Sequence, residues 1–226
     1  MALILNIETA TTVCSVTLTE HGKLLALKEV NNGYTHSENL TVFIREVFSE
    51  TNHTYSDIDA VAVSKGPGSY TGLRIGVSAA KGLCFALNKP LIAINTLQHL
   101  SLALNIQHST PNTLFCPMLD ARRMEVYCAI YDSAGNEIKK TSAEIIDEGS
   151  FADILKNNRI IFFGDGAAKC KTALSQHSNA DFVDNVFPSA QHMMSLSEKA
   201  FKEKRFEDVA YFEPYYLKDF VAGKKN

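Results

Sequence analysis

Ser64-Lys65-Gly66-Pro67-Gly68-Ser69-Tyr70-Thr71-Gly72-Leu73-Arg74-Ile75-Gly76-Val77-Ser78-Ala79-Ala80-Lys81-Gly82 is the stretch on which the reading of this chain turns. The run before it, Ile58 to Val63, is short, apolar and rich in β-branched residues, which suits a buried strand. The run after it has helical spacing and no alternation, with Ser69 or Thr71 placed to cap the amides that a first helical turn leaves unpaired. The unit is therefore strand, Gly-Pro-Gly corner, helix. Such a corner is a candidate anion cradle, because helix N-terminal amides carry partial positive charge and glycines admit a ligand to the backbone. Spacing argues otherwise. A phosphate-binding P-loop needs Gly-Lys five residues after its first glycine, where Thr71 stands. The dinucleotide fingerprint starts with Gly66 and Gly68 but meets Thr71 in place of its third small residue, and no acid follows before Leu119 to hold a ribose. The reading taken from spacing alone is a sharp turn into a closely packed helix. Gly72, Gly76 and Ala80, four apart, form a small-residue stripe on it that lets another helix approach.

Upstream, Ala2 to Ile7, Val13 to Thr19 and Lys23 to Val30 read as strands, the last two joined by a hairpin at His21-Gly22. Thr35 to Phe48 places Leu40, Phe43, Ile44, Val47 and Phe48 on one helical face, with Thr35 and Glu38 as a candidate capping box. His36, with no second histidine within a turn, is taken as a structural or interface residue rather than a ligand. Downstream, Pro90 to Asn95 is a strand and Thr96 to Asn105 a short helix capped by Asn95. The polar segment 107–112, with Pro111, marks a domain boundary, giving an N-terminal domain over 1–106 and a smaller one over 107–226, with the last helix and tail as candidates to pack back on the first. Beyond the boundary come strands at Leu114 to Leu119, Glu125 to Tyr131 and Ile160 to Phe163, and helices at Ser150 to Asn157, Ala167 to Leu174 and Ser189 to Lys204. Gly164-Asp165-Gly166 repeats the strand-glycine-helix device and is a second candidate nucleotide contact. Pro214 to Lys218 is extended with aromatic anchors, before a basic tail Lys224-Lys225-Asn226. No internal repeat is visible.

Composition narrows the classes. A chain of 226 residues can bury a core without staples, and its net charge of −3 gives no general attraction to nucleic acid. Five cysteines with no Cys-x-x-Cys pair read as buried free thiols in a reducing cytosol. The start lacks a basic leader and no apolar run reaches membrane-spanning length, so a cytoplasmic protein with no membrane partner is expected.

The element order implies an α/β chain of mixed sheets with helices, resembling the ribonuclease H-like half-domains of the actin-like ATPase and sugar kinase superfamily. Ile4-Leu5-Asn6-Ile7-Glu8-Thr9-Ala10, His36-Ser37-Glu38-Asn39-Leu40, Ser64 to Gly82 and Pro214-Tyr215-Tyr216-Leu217-Lys218 together resemble the TsaB (YeaZ) family over nearly the whole chain, with Lys218 where that family ends on Arg. The resemblance implies an accessory role in tRNA threonylcarbamoyladenosine biosynthesis. It implies a heterodimer with the paralogous TsaD, which transfers the threonylcarbamoyl group to tRNA, the ATPase TsaE in the complex, tRNA held indirectly, and a homodimer in isolation. Thr96 and Leu100 stand where TsaD carries its metal-binding His-x-x-x-His pair, and Glu8-Thr9-Ala10 replaces the superfamily's Asp-Gly-Thr/Ser. The chain is thus expected to be a non-catalytic scaffold with no catalytic or metal residues and no cofactor of its own, ATP and metal belonging to the partner subunits. The implied partner or dimer face comprises His36, Leu40, Phe43, Ile44, Val47, Leu73, Gly76, Val77 and Ala80. The candidate nucleotide or anion contacts are Glu8, Gly66, Gly68, Ser69, Thr71, Gly164 and Gly166. The competing reading is an enzyme acting alone, an actin-like ATPase or a metallo-glycoprotease; neither an activated nucleophile nor a His pair is arranged for protease chemistry.

Overall fold

The computed structural model describes residues 2–33, 35–104 and 112–218. Most of the boundary segment and the Lys224-Lys225-Asn226 tail lie outside the described residues. The first lobe is a sheet ordered β3-β2-β1-β4-β5, from β1 (Leu3–Glu8), β2 (Val13–Glu20), β3 (Lys23–Asn31), β4 (Ala60–Gly66) and β5 (Leu91–Asn95). β1, β2 and β3 form an antiparallel meander, while β4 and β5 run parallel to β1. The β2–β3 turn holds His21 at φ 54° and Gly22 at φ 71°, the left-handed pair that matches strand twist in a two-residue hairpin.

The second sheet, β10-β9-β6-β7-β8, comprises β6 (Thr113–Asp120), β7 (Glu125–Tyr131), β8 (Glu137–Ile145), β9 (Arg159–Phe163) and β10 (Ala180–Val183). It repeats the first: a β6-β7-β8 antiparallel meander, then β9 and β10 parallel to β6. The chain is therefore two lobes of one ribonuclease H-like topology, duplicated in structure with no repeat readable in sequence. β8 and β10 have no counterpart in the sequence reading. β8 is a polar, half-exposed edge without clean alternation, and β10 is only Ala-Asp-Phe-Val.

Helices α1 (His36–Ser49) and α2 (Tyr70–Leu87) cover one face of the first sheet. Leu3, Leu5 and Ile7 of β1, Val61 and Val63 of β4, Leu40, Ile44 and Val47 of α1, and Val77, Ala80 and Cys84 of α2 form that core. The other face is covered from far along the chain. Met193, in a 3₁₀ turn at Ala190–Met193, and Ala200 of α6 (Met194–Lys202) pack on Ala2, Ile4, Ala60, Ala62, Ile92 and Ile94. Conversely α3 (Thr96–Ser101), which lies before the expected boundary, sends Leu97 and Leu100 into the second lobe among Phe115, Leu119, Ala129 and Phe163. Each lobe thus takes a helix from across the boundary, because each sheet has two apolar faces and its own segment supplies helices for one.

Several local expectations change. Thr35 makes no side-chain cap; instead Asn39 Nδ2 donates to its Oγ1 at 2.8 Å, and Glu38 faces solvent. Ser69 does cap α2, accepting from Gly72 N at 3.3 Å, and Asn95 Oδ1 accepts from Leu97 N and Gln98 N at 2.9 and 3.1 Å. The 150–157 helix shrinks to α4 (Ala152–Leu155) and the 167–174 helix to a 3₁₀ turn leading into α5 (Lys171–Leu174). All five cysteines are buried free thiols.

Candidate functional site: the corner, the cleft and the sealed carboxylate

The glycines of the opening stretch are occupied by this chain's own backbone. A Cβ on Gly68 would lie 2.4 Å from Ala10 O, one on Gly72 2.1 Å from Thr9 O, and one on Gly76 2.2 Å from Thr9 Oγ1. Real Cβ atoms do not come so close, so the small residues exist to seat the Thr9–Ala10 turn on α2. That turn is tied down by Ser69 N donating to Ala10 O at 2.7 Å and Thr9 Oγ1 donating to Gly72 O at 2.8 Å. His36 completes the seat: it is buried, its Nε2 lies 2.8 Å from Thr11 O, and its ring stands beside Gly72.

This corrects the expected partner face. Leu40, Ile44, Val47, Val77 and Ala80 lie in the first lobe's own core, Leu73 is buried, and Gly76 faces Thr9. Of the nine residues named, only Phe43 is half-exposed. The reason is the helical period: spacing reveals that α2 has a small-residue face but not which neighbour it meets. The outward side of α2 is a different stripe, with Thr71, Ser78, Gly82 and Ala86 exposed and Ile75 and Ala79 half-buried at the margin of the core, and a Cβ added at Gly82 would meet nothing within 4 Å.

Glu8 ends β1 and is fully buried, its Oε1 accepting from Ala10 N. Its Oε2 lies 2.6 Å from Nε2 of His99 on α3, also fully buried. The two atoms are in contact without being aligned for a hydrogen bond. The group acts on its surroundings. Burial, then the Glu8 charge, push the Cys14 thiol up to about 12. Burial and the nearby His99 push His192 down to about 4, against the pull of Glu8. The histidine that sequence spacing leaves out of register is thus the partner of the carboxylate that departs from the superfamily's aspartate, and only the α3 crossing brings them together.

Between the lobes lies a cavity of about 830 Å³. The first lobe lines it with Thr11, Thr12, His36 and the 67–72 corner, the second with the 119–122 loop, Tyr127 and Asp165, and the C-terminal segment with Tyr215 to Lys218. Of the candidate contacts, Gly68, Ser69 and Thr71 reach this cleft, whereas Glu8, Gly66, Gly164 and Gly166 do not line it. Gly164 and Gly166 serve packing: a Cβ there would lie 2.2 Å from Met118 O and 2.7 Å from Leu119 C. Gly66, at φ 109° before a cis Pro67, lets Tyr215 O approach to 2.7 Å of its Cβ position. Asp120, Arg122 and Tyr127 escape the sequence reading; a signal existed only in the polar Asp120-Ala121-Arg122-Arg123 turn between two strands, with both arginines in left-handed backbone. Among the described residues no group of three or more His, Cys, Asp or Glu is arranged to hold a metal ion, and no helix is long and apolar enough to cross a membrane.

Comparison with known proteins agrees with this architecture. Residues 32–225 match the family model described as TsaD, tRNA N6-adenosine threonylcarbamoyltransferase. The chain is 30% identical to the tRNA threonylcarbamoyladenosine biosynthesis protein TsaB of Escherichia coli over 98% of this chain and 97% of that one. It is 52% identical to the tRNA N6-adenosine threonylcarbamoyltransferase of Bacillus subtilis, but over only 26% of this chain and 17% of that protein. The solved structure of YeaZ from Pseudomonas aeruginosa superposes with a TM-score of 0.81 at 25% identity, covering 96% of this chain and 100% of that one. The transferase family model spans most of the chain, but the transferase from Bacillus subtilis matches only part of it while TsaB of Escherichia coli matches from end to end, and on that ground the chain belongs to the TsaB (YeaZ) family of tRNA threonylcarbamoyladenosine biosynthesis proteins.

Proposed function

We propose that this chain is a non-catalytic subunit that docks on a TsaD-type transferase and supports transfer of the threonylcarbamoyl group to tRNA, with a TsaE-type ATPase joining the complex. The observation that carries the non-catalytic part is the sealing of Glu8. A carboxylate that is to hold a cation and phosphate must face the cleft, and this one is fully buried against His99 and the Ala10 amide. ATP and metal are assigned to the partner subunits, and tRNA is held through the complex.

The docking face follows from the corrected geometry of α2. Gly82 and Ala86 are exposed, and Ile75 and Ala79 of α2 and Phe43 of α1, half-buried at the margin of the core, continue them into a stripe of small and apolar side chains. Small residues three and four apart let a partner helix approach closely, as the inward stripe does for Thr9. The same face would serve a homodimer when the transferase is absent. The test is co-purification with a TsaD-type transferase, comparing the wild-type chain with Ala86→Glu, which places a charge on the exposed part of the outward stripe, away from the side chains packed on the core. Loss of the complex with an unchanged melting temperature is expected. Retention of wild-type binding would remove this face from the proposal, and ATP turnover by the purified chain that is lost in Glu8→Gln would overturn the non-catalytic reading.

A further inference from the structure

The C-terminal segment leaves α6 and runs along the flank of α2 before crossing to the second lobe. Glu207 N donates to Leu91 O at 2.9 Å on the edge of β5, and Val209 and Phe212 pack against the first lobe's core. Lys81 Nζ donates to the carbonyls of Ala210 and Phe212 at 3.2 and 2.8 Å. Next, Tyr215 N donates to Lys65 O at 2.7 Å, at the corner where only glycine at 66 leaves room for the Tyr215 carbonyl. Tyr216 sits in a cluster: its ring centroid is 5.1 Å from that of Tyr70, its Oη accepts from Arg74 Nε at 3.2 Å, and the Arg74 guanidinium lies 4.4 Å over the Tyr70 ring. Two residues on, Lys218 Nζ reaches Oε2 of Glu125 at 2.5 Å, at the start of β7 in the second lobe. Tyr215 to Lys218 line the cleft between these two anchorages.

We propose that Pro214–Lys218 is an interlobe latch, pinned to the first lobe by the Lys65 carbonyl and the Tyr70–Arg74–Tyr216 cluster and to the second by the Lys218–Glu125 ion pair. Its docking sets the separation of the lobes and access to the cleft. The weak anchorage is the last one: it is a single ion pair, its Lys218 side chain 48% exposed and that of Glu125 20%, so it is screened and gains little over water, whereas the first lobe holds the segment by the Tyr215 backbone bond together with the ring and hydrogen-bond contacts of the Tyr70–Arg74–Tyr216 cluster. The latch therefore opens from the second lobe first. An arginine at 218, with a planar fork suited to a carboxylate, would close it more firmly than the ammonium point charge present here.

Amide hydrogen exchange on the full-length chain, read by mass spectrometry, tests this. In Lys218→Glu, peptides over 214–218, 66–72 and 120–127 should all exchange about two- to fivefold faster, the range of a partly exposed ion pair. The charge-swapped double variant Lys218→Glu with Glu125→Lys should return all three regions to wild-type rates, and Lys218→Arg should slow them. Raising salt should speed exchange in the wild type by screening the ion pair and slow it in Lys218→Glu by screening the repulsion between the two carboxylates. Faster exchange confined to 214–218, with the cleft walls unchanged, would overturn the latch and leave a passive tail contact; so would no change in any region. Because the side chains changed are outside both cores, a wild-type melting curve for the double variant separates undocking from unfolding.

Discussion

Replacing Gly72 with alanine should destabilise the chain by about 2–4 kcal/mol, although alanine is the better helix former by about 1 kcal/mol. The opposing side is geometric. The new Cβ would sit 2.1 Å from the Thr9 carbonyl, which is backbone in a buried turn and cannot swing aside as a side-chain tip can. Restoring ordinary contact means moving that turn by about 1 Å, and overpacking of a close-packed site costs about 1–3 kcal/mol. The same shift stretches two hydrogen bonds, Ser69 N to Ala10 O at 2.7 Å and Thr9 Oγ1 to Gly72 O at 2.8 Å, each contributing about 1 kcal/mol net. Gly82→Ala, on the same helix with nothing within 4 Å of its Cβ position, isolates the propensity gain and should stabilise by about 0.5–1 kcal/mol. Thermal unfolding followed by circular dichroism compares the two. At about 2–4 °C per kcal/mol for a chain of this size, Gly72→Ala should melt roughly 5–15 °C below wild type and Gly82→Ala slightly above it. If the two variants melted together, the account of the glycines as a seat for the Thr9–Ala10 turn would be refuted.

His192, held down to about 4 by burial, makes stability fall as pH falls: above pH 6.5 it is neutral folded and unfolded, and between 6.5 and about 4 only the unfolded chain takes up the proton. At about 1.4 kcal/mol per pH unit the loss from this group approaches roughly 3 kcal/mol near pH 4, and in urea titrations at several pH values His192→Phe should remove that part of the slope. His99→Leu leaves Glu8 Oε2 buried without a polar neighbour and should cost about 1–3 kcal/mol, whereas Glu8→Gln, which keeps an oxygen for the Ala10 amide, should cost less; equal losses would argue that the two side chains matter only through packing. Ser69→Ala should lower stability by about 1 kcal/mol through the lost cap on Gly72 N, while Thr35→Ala, which caps no amide and loses only the part-buried Asn39 Nδ2 bond, should cost about 0.5 kcal/mol, both checked by unfolding midpoints.

Fold class was legible because its signals are local and strong. The Ile58–Val63 run, the Gly-Pro-Gly corner and the His21-Gly22 hairpin each constrain the backbone within a few residues. The polar edge β8 and the four-residue β10 were not, because edge strands lack a second buried face to impress a pattern on the sequence. Of the site, Ser69 as a cap and the closeness demanded by the glycines were readable. The identity of what comes close was not.

The sequence by itself determined that α2 has a face made of glycine and alanine, that Glu8 departs from the superfamily's aspartate, and that His99 is out of register for a metal pair. Only tertiary structure decided that the glycine face receives Thr9 and Ala10 from this same chain, that Glu8 and His99 are a single buried pair, and that the outward stripe of α2 is the opposite one. The reason is that residue spacing fixes which side chains share a face, while the neighbour met by that face depends on chain crossings such as α3 and α6, which join residues about 90 and 190 positions apart and leave no mark in any local window.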